Sequence, residues 1–246
     1  MRMKHPRLRD GKKLQTNEPY PINEIPDDLI VKIGGYLVHL LYIGRKDISG
    51  SDWGEDFSDA ISGKHLDSPV GIADVVLGKM AWSMKTVKNS RPFTARNIRL
   101  ISGRCSPDYS YGITDPHKDI QETGRAVLGI WNERINLAHD EFNPVRTSIL
   151  VRSNDLLSYT LFEEDNHRFR TSDYIWEANS NGNLIGKHIE TGLTCFTWQP
   201  HGSQFTIHTR IPENAVKFTI KRPPVISKND ILKAIDFDDS WVQILK

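Results

Sequence analysis

Apolar and polar residues change their spacing several times along the chain, and each change marks an element. Residues 1–26 are polar and hold Pro6, Pro19, Pro21 and Pro26, a composition suited to an extension rather than a core element. The core is expected to begin near Leu29, in DLIVKIGGYLVHLLYIG. Its apolar residues are too dense for a surface helix and are interrupted by Gly34 and Gly35, so helix and strand both stay open. In SGSDWGEDFSDAISGKH, Trp53, Phe57 and Ile61 fall at helical spacing, Ser51 or Asp52 can cap and Gly63 can terminate, which predicts a short amphipathic helix over residues 53–62. GIADVVL and MAWSMKTVK are β-rich, and a short strand is expected at 98–101. Ile120, Val127, Trp131, Ile135 and Ala138 then line one face of a helix of about six turns. RTSILVRS and LLSYTLFEE read as two further strands. The order strand, strand, helix, strand, strand predicts an α/β (α+β) core with a mixed central β-sheet flanked by helices. The stretch after it alternates and carries the turn pairs Asn181-Gly182 and Thr191-Gly192, which predicts an antiparallel β appendage in the C-terminal third. The expected organisation is an N-terminal arm over 1–28 and a single domain over 29–246, with its core at about 52–164 and the appendage at about 165–222.

GIADVVLGKMAWSMKTVK, residues 71–88, contains an aspartate and a lysine inside otherwise apolar strands. Gly78-Lys79 suits a two-residue turn, because glycine at the first central position is what a type II′ turn requires. Leu77 then pairs with Met80, Asp74 faces Ser83 and Lys85 faces Ile72. Paired side chains share a face, as do residues two apart on one strand. Asp74, Ser83 and Lys85 therefore converge on one face, with Ile72, Val76 and Ala81 beside them. Ala73, Val75, Leu77, Met80, Trp82 and Met84 are expected on the other face, packed on the core.

Charge alters this picture locally rather than globally. The chain of 246 residues has a net charge of +1, which excludes any bulk electrostatic argument for nucleic acid or membrane. Between Lys79 and Ser106, however, Lys79, Lys85, Lys88, Arg91, Arg96, Arg99 and Arg104 occur without one Asp or Glu. A carboxylate among apolar walls needs a cation, a metal or several donors. An acid, a lysine and basic surroundings suit phosphodiester hydrolysis: the carboxylate holds Mg²⁺, the metal polarises the phosphate and acidifies a bound water, the lysine orients the hydroxide, and the cations hold the phosphate backbone.

IADVV followed by AWSMKTVK resembles the signature of the PD-(D/E)XK nucleases, the metal-dependent core of many Type II restriction endonucleases. The likeness covers residues 53–88 directly and, with the order of later elements, about 52–164. It implies a restriction-endonuclease-like core with acid and lysine on adjacent strands of a mixed sheet, and a Mg²⁺-dependent endonuclease acting on double-stranded DNA. Asp74 takes the place of the central metal ligand and Lys85 that of the water-orienting lysine. The motif proline is Ala73 and the motif acid is Ser83. A glutamate from a neighbouring helix is the expected substitute: Glu55 as catalytic residue and second metal ligand, with Glu122 the alternative. Cutting both strands at a symmetric site implies a homodimer. A nonspecific or repair nuclease of the same core, and a DNA-binding module that does not cut, stay open beside this reading.

The remaining motifs add contacts rather than other chemistries. WQPHGSQFTIH offers Gln199, His201, Ser203 and Gln204 as a loop able to read base edges, and Lys88, Arg91, Arg96, Arg99 and Arg104 are the expected backbone contacts. Tyr109 and Tyr111 suit groove contact or a packed loop equally. The nine histidines show no metal-ligand spacing, Cys105 and Cys195 form no CxxC, and KIGGYL lacks the lysine of a phosphate-binding loop. No run approaches the ~20 apolar residues of a membrane span, so a cytoplasmic protein without membrane contact is expected.

Overall fold

The computed structural model describes residues 18–245. The dense run after Leu29 is a helix, α1 (Asp27–Tyr42), whose buried Ile30, Ile33, Leu37, Leu40 and Leu41 recur every three or four residues. Gly34 lies on its buried face, where packing outweighs the roughly 1 kcal/mol a helical glycine costs relative to alanine. α2 (Gly50–Ile61) starts earlier than its apolar spacing suggests because Ser49 is the cap, in place of Ser51 or Asp52. Ser49 Oγ accepts the Asp52 N–H at 3.0 Å, and the Asp52 carboxylate accepts the Ser49 N–H at 2.9 Å. The helix ends at Ser62 in the left-handed conformation (φ 57°), one residue before Gly63.

β1 (Lys64–Val70) follows, a strand that no apolar alternation announces. It holds Pro69 and lies at a sheet edge, where a residue without an N–H is tolerated. Next come β2 (Ala73–Leu77), β3 (Met80–Lys88), β4 (Asn97–Arg104), the short α3 (Pro107–Tyr111), α4 (Ile120–Glu141), β5 (Val145–Arg152) and β6 (Ser158–Asp165). β7 (Tyr174–Ala178), β8 (Leu184–His188), β9 (Thr194–Gln199), β10 (Gln204–Arg210), β11 (Val216–Thr219) and α5 (Lys228–Ala234) complete the chain.

The fold is mixed α/β. One sheet has the order β1-β2-β3-β5-β6-β11, in which β3 and β5 are parallel and the other neighbours antiparallel. A parallel pair needs a long crossover, and the chain between β3 and β5 supplies β4, α3 and the 22-residue α4. The second sheet is antiparallel, in the order β4-β10-β9-β8-β7. The appendage thus draws β4 from the middle of the chain, while β11, within the 165–222 stretch, returns to the first sheet beside β6.

Both faces of the first sheet are covered. α1 and α2 pack on one, through Leu37, Trp53 and Phe57 against Val75, Met80, Trp82 and Met84. α4 and the second sheet cover the other, through Val127, Trp131, Ile135, Phe196 and Phe205 against Ile72, Ala73, Ala81 and Val145. Ala73, expected beside Val75, packs with Ile72 instead, where the register between β1 and β2 shifts. The first 17 residues of the expected arm lie outside the described residues. The segment just before α1 is packed rather than loose: Tyr20 and Ile25 are buried, and Tyr20 Oη donates to Glu163 Oε1 at 2.9 Å. Among the described residues, no helix is long and apolar enough to cross a membrane.

Candidate active site

The β2–β3 hairpin has the register its turn dictates. Gly78 takes a positive φ of 58°, and Leu77 pairs with Met80, Val76 with Ala81 and Val75 with Trp82. The next step sets Asp74 opposite Ser83, and there the aspartate side chain makes the contact. Its Oδ2 accepts the Met84 N–H at 2.7 Å and the Ser83 hydroxyl at 3.2 Å. Lys85 Nζ lies 4.0 Å from the same oxygen, and both side chains are 24% exposed. Burial pushes the Lys85 ammonium below its ordinary range; the negative charge of Asp74 opposes this and the positive charge of Arg134 adds to it. The three residues that the hairpin pattern puts on one face are brought together.

Their face continues across the sheet. Ser83 aligns with Thr147 of β5, and Thr147 with Glu164 of β6, so Asp74, Ser83, Thr147 and Glu164 form a polar row over four neighbouring strands. At about 4.8 Å between strands, Glu164 lies about 14 Å from Asp74, too far to share one cation with it. Burial holds the Glu164 carboxyl above its usual range, against the hydrogen bond from Thr209 Oγ1 and the pull of His167. A cavity of about 480 Å³ opens beside Lys85, between Thr147 and Glu164 on one side and Trp131, Phe196 and His208 on the other.

Arg134 closes the opposite end. Its Nη1 donates to the Ser102 carbonyl at 3.2 Å. Two glycines permit this approach. A Cβ on Gly71 (φ 63°) would lie 2.3 Å from the Arg134 carbonyl oxygen, and one on Gly103 (φ 104°) 2.4 Å from Arg134 Nη1. The sequence pattern does not single out Arg134, Thr147 or Glu164. For Arg134 the available signal is its place between Trp131 and Ile135 on the apolar flank of α4. For Glu164 it is a second carboxylate at the end of a strand otherwise expected to be buried.

Glu55 does not join the site. It is exposed on α2, accepts a hydrogen bond from Ser51 at 3.4 Å, and belongs to the helical layer on the face opposite Asp74. Trp53 and Phe57 set the rotation of α2, and that rotation sends Glu55 outward. Glu122 is exposed in the first turn of α4, twelve residues and therefore about 18 Å before Arg134. Asp74 is thus the carboxylate of the site, and among the described residues no three His, Cys, Asp or Glu side chains are grouped to hold a metal.

The expected DNA contacts divide into groups. Arg104 pairs with Gln204, which pairs with Gln199, and His201 and Ser203 form the turn between them, so these five residues share one end of the second sheet. That end adjoins the strand Arg134 touches, because the Cys105 N–H donates to the Ser203 carbonyl at 2.8 Å. Arg99 sits farther along β4, opposite His208, with Nη2 3.4 Å from Thr197 Oγ1. Arg96 is exposed just before β4. Lys88 ends β3, whose nine residues separate it from the hairpin turn by about 30 Å, and Arg91 lies three residues beyond that end. The cationic run is continuous in sequence but not a single patch in space.

The chain matches no known protein family, no curated protein and no solved structure.

Proposed function

We propose that the protein is a Mg²⁺-dependent endonuclease of the PD-(D/E)XK kind. In this reading it is a Type II restriction enzyme that hydrolyses double-stranded DNA at a specific sequence and acts as a homodimer. The observation that carries the proposal is the hairpin: Asp74 and Lys85 stand 4.0 Å apart on adjacent strands of a mixed sheet covered on both faces, their side chains only a quarter exposed. Mg²⁺ keeps several waters and is commonly held by one or two carboxylates plus substrate phosphates. Asp74 fits that demand, since Met84 and Ser83 engage Oδ2 and leave Oδ1 for a cation. A metal bound there supplies phosphate polarisation and a more acidic water. Lys85 orients the attacking water, and the neutral amine that its burial favours accepts the proton. Ser83 fixes the Asp74 rotamer, and Arg134 adds positive charge beside the phosphate.

Plasmid DNA incubated with Mg²⁺ tests this directly. Asp74→Asn keeps a hydrogen-bond acceptor for Met84 while removing the charge, and Lys85→Ala removes the amine. Both are expected to abolish cutting, and retained cutting by either overturns the site. Digestion of one long DNA separates the specific enzyme, which gives discrete bands, from a nonspecific or repair nuclease, which gives a smear. Ser83 in the acid position and the outward Glu55 favour a second reading, a module that binds DNA without hydrolysing it. Salt-dependent binding with no cutting under any divalent metal would establish that reading instead.

A further inference from the structure

We infer that the cavity beside Lys85 receives one unpaired nucleobase, turned out of the DNA helix. This rests on the nuclease reading above and names which part of the substrate enters the protein. The volume of about 480 Å³ falls within the roughly 300–1,000 Å³ of small-ligand pockets, and a duplex is far too wide for it. Its walls are of two kinds. Trp131, Phe169, Tyr174 and Phe196 form an aromatic side, with Phe169 and Tyr174 each 4.7 Å from Phe196 between ring centroids. Glu164 and Asn166 stand in the polar part of the lining. Thr209 occupies one Glu164 oxygen, which leaves the other carboxylate oxygen for a ligand, while Asn166 Oδ1 accepts from Thr147 at 2.9 Å and its amide nitrogen is buried behind the lining.

A planar heterocycle with a hydrogen-bond donor on one edge matches an aromatic wall faced by a free carboxylate oxygen. Aromatic side chains stack on any base, while a carboxylate accepts from an exocyclic amine. Lys85 belongs to both the cavity and the hairpin, so a base held here lies next to the phosphate that Asp74 faces. Extrusion of a paired base costs a few kcal/mol, and an already unpaired base avoids most of it.

The test compares short duplexes, one fully paired and one with a single-base bulge of 2-aminopurine, in metal-free buffer so that neither is cut. The bulged duplex is expected to bind on the order of tenfold more tightly. Tyr174→Ala should erase most of that preference while leaving affinity for the paired duplex unchanged, and the near-isosteric Glu164→Gln should lower the ratio of bulged to paired affinity severalfold. Cys195 gives a reading independent of any substitution, because it lines the cavity while Cys105 is fully buried. Its reaction with a thiol reagent should slow severalfold with the bulged duplex and not with the paired one. Equal affinities with no thiol protection, in a protein that still cuts plasmid DNA, overturn the cavity inference alone. Bulge preference with thiol protection but no cutting under any divalent metal overturns the nuclease reading and leaves the base pocket standing.

Discussion

The two faces of the first sheet each carry an acid and a base, and they treat them in opposite ways. On the helical face, Arg146 and Glu163 lie 3.0 Å apart and are 3% and 0% exposed. Tyr20 and Trp82 also donate to Glu163, at 2.9 and 2.7 Å, and Glu18 takes the other guanidinium nitrogen at 2.5 Å. On the opposite face, Asp74 and Lys85 are 4.0 Å apart and a quarter exposed. Buried charges are costly unless paired and hydrogen-bonded, and the first pair meets that condition at both carboxylate oxygens and both Nη groups, with only Arg146 Nε lacking a hydrogen bond. The second does not, because Met84 and Ser83 engage only Oδ2 of Asp74 and, among the described residues, no carboxylate forms an ion pair with Arg134. A charge pair built for the fold is closed; a pair left incomplete at the mouth of a cavity has capacity for another molecule.

The widest separation between the faces should come from removing one carboxylate of each. Glu163→Ala takes away the fully buried partner of Arg146, which keeps Glu18, and leaves the Tyr20 and Trp82 donors unpaired; it is expected to cost about 3–5 kcal/mol, measured by denaturant unfolding. Asp74→Asn retains the acceptor for the Met84 N–H, so its stability should stay within about 1 kcal/mol of the parent while DNA cutting falls by at least 10²-fold. Equal stability losses in the two variants would show that Asp74 is merely structural.

Lys85→Arg sharpens the distinction by separating charge from proton transfer, since arginine stays protonated throughout the working range. Burial lowers the folded-state pKa of Lys85, so cutting by the parent should rise with pH along a limb below the ordinary lysine value of about 10.4. Lys85→Arg should lose that limb and about 10²–10⁴-fold in rate. A profile unchanged by the substitution would assign Lys85 a purely electrostatic part. The same lowering has a stability consequence. The folded state releases this proton before the unfolded state does, so the lysine's penalty is full below its folded pKa and fades as pH rises toward its unfolded value. Lys85→Met should therefore gain most over the parent at neutral pH and least at alkaline pH.

Glu164 offers a smaller effect of opposite sign. Its folded pKa is raised by burial, so ionisation disfavours the fold once the pH passes the ordinary carboxylate range, and below that range the penalty is absent. Glu164→Gln should raise the neutral-pH melting temperature by about 2–4 °C for each 1 kcal/mol relieved, with the gain vanishing in acid. A melting temperature that drops at neutral pH would mean that the Thr209 bond needs the carboxylate charge.

The hairpin was legible because its information is local: a glycine at the turn fixes the pairing, and the pairing fixes which side chains meet. The six-turn α4 and the order of the central strands follow from periodicity in the same way. What periodicity does not carry is the rotation and packing of one element on another. Glu55 is five residues into a helix whose orientation is set by Trp53 and Phe57, and that orientation turns it from the site. β1 is obscured because an edge strand tolerates Asp67 and Pro69. Arg134, Thr147 and Glu164 reach the site through pairings and crossings between distant segments, so no local pattern marks them. A run of cations reads as a patch only if the chain folds compactly there, and β3 instead extends Lys88 away from the hairpin turn.

The smallest effect concerns Arg104, which aligns with Gln204 and Gln199 at the end of the second sheet adjoining Arg134. If it contacts a phosphate, Arg104→Ala should weaken binding of all DNA sequences about equally and lower the slope of log affinity against log salt by about 1. If it reads a base edge, the slope changes little and discrimination at one position falls by about 1–3 kcal/mol. Arg91→Ala, three residues beyond the end of β3, provides the control: an equal change in slope there would mean that DNA covers both ends of β3 rather than the hairpin end. Salt titrations of the two variants on one duplex, followed by selection of bound sequences from a random pool, measure both quantities. The outcome decides whether, in the proposed complex, the second sheet holds the backbone or reads the sequence beside the Asp74 face of the first sheet, which it covers together with α4.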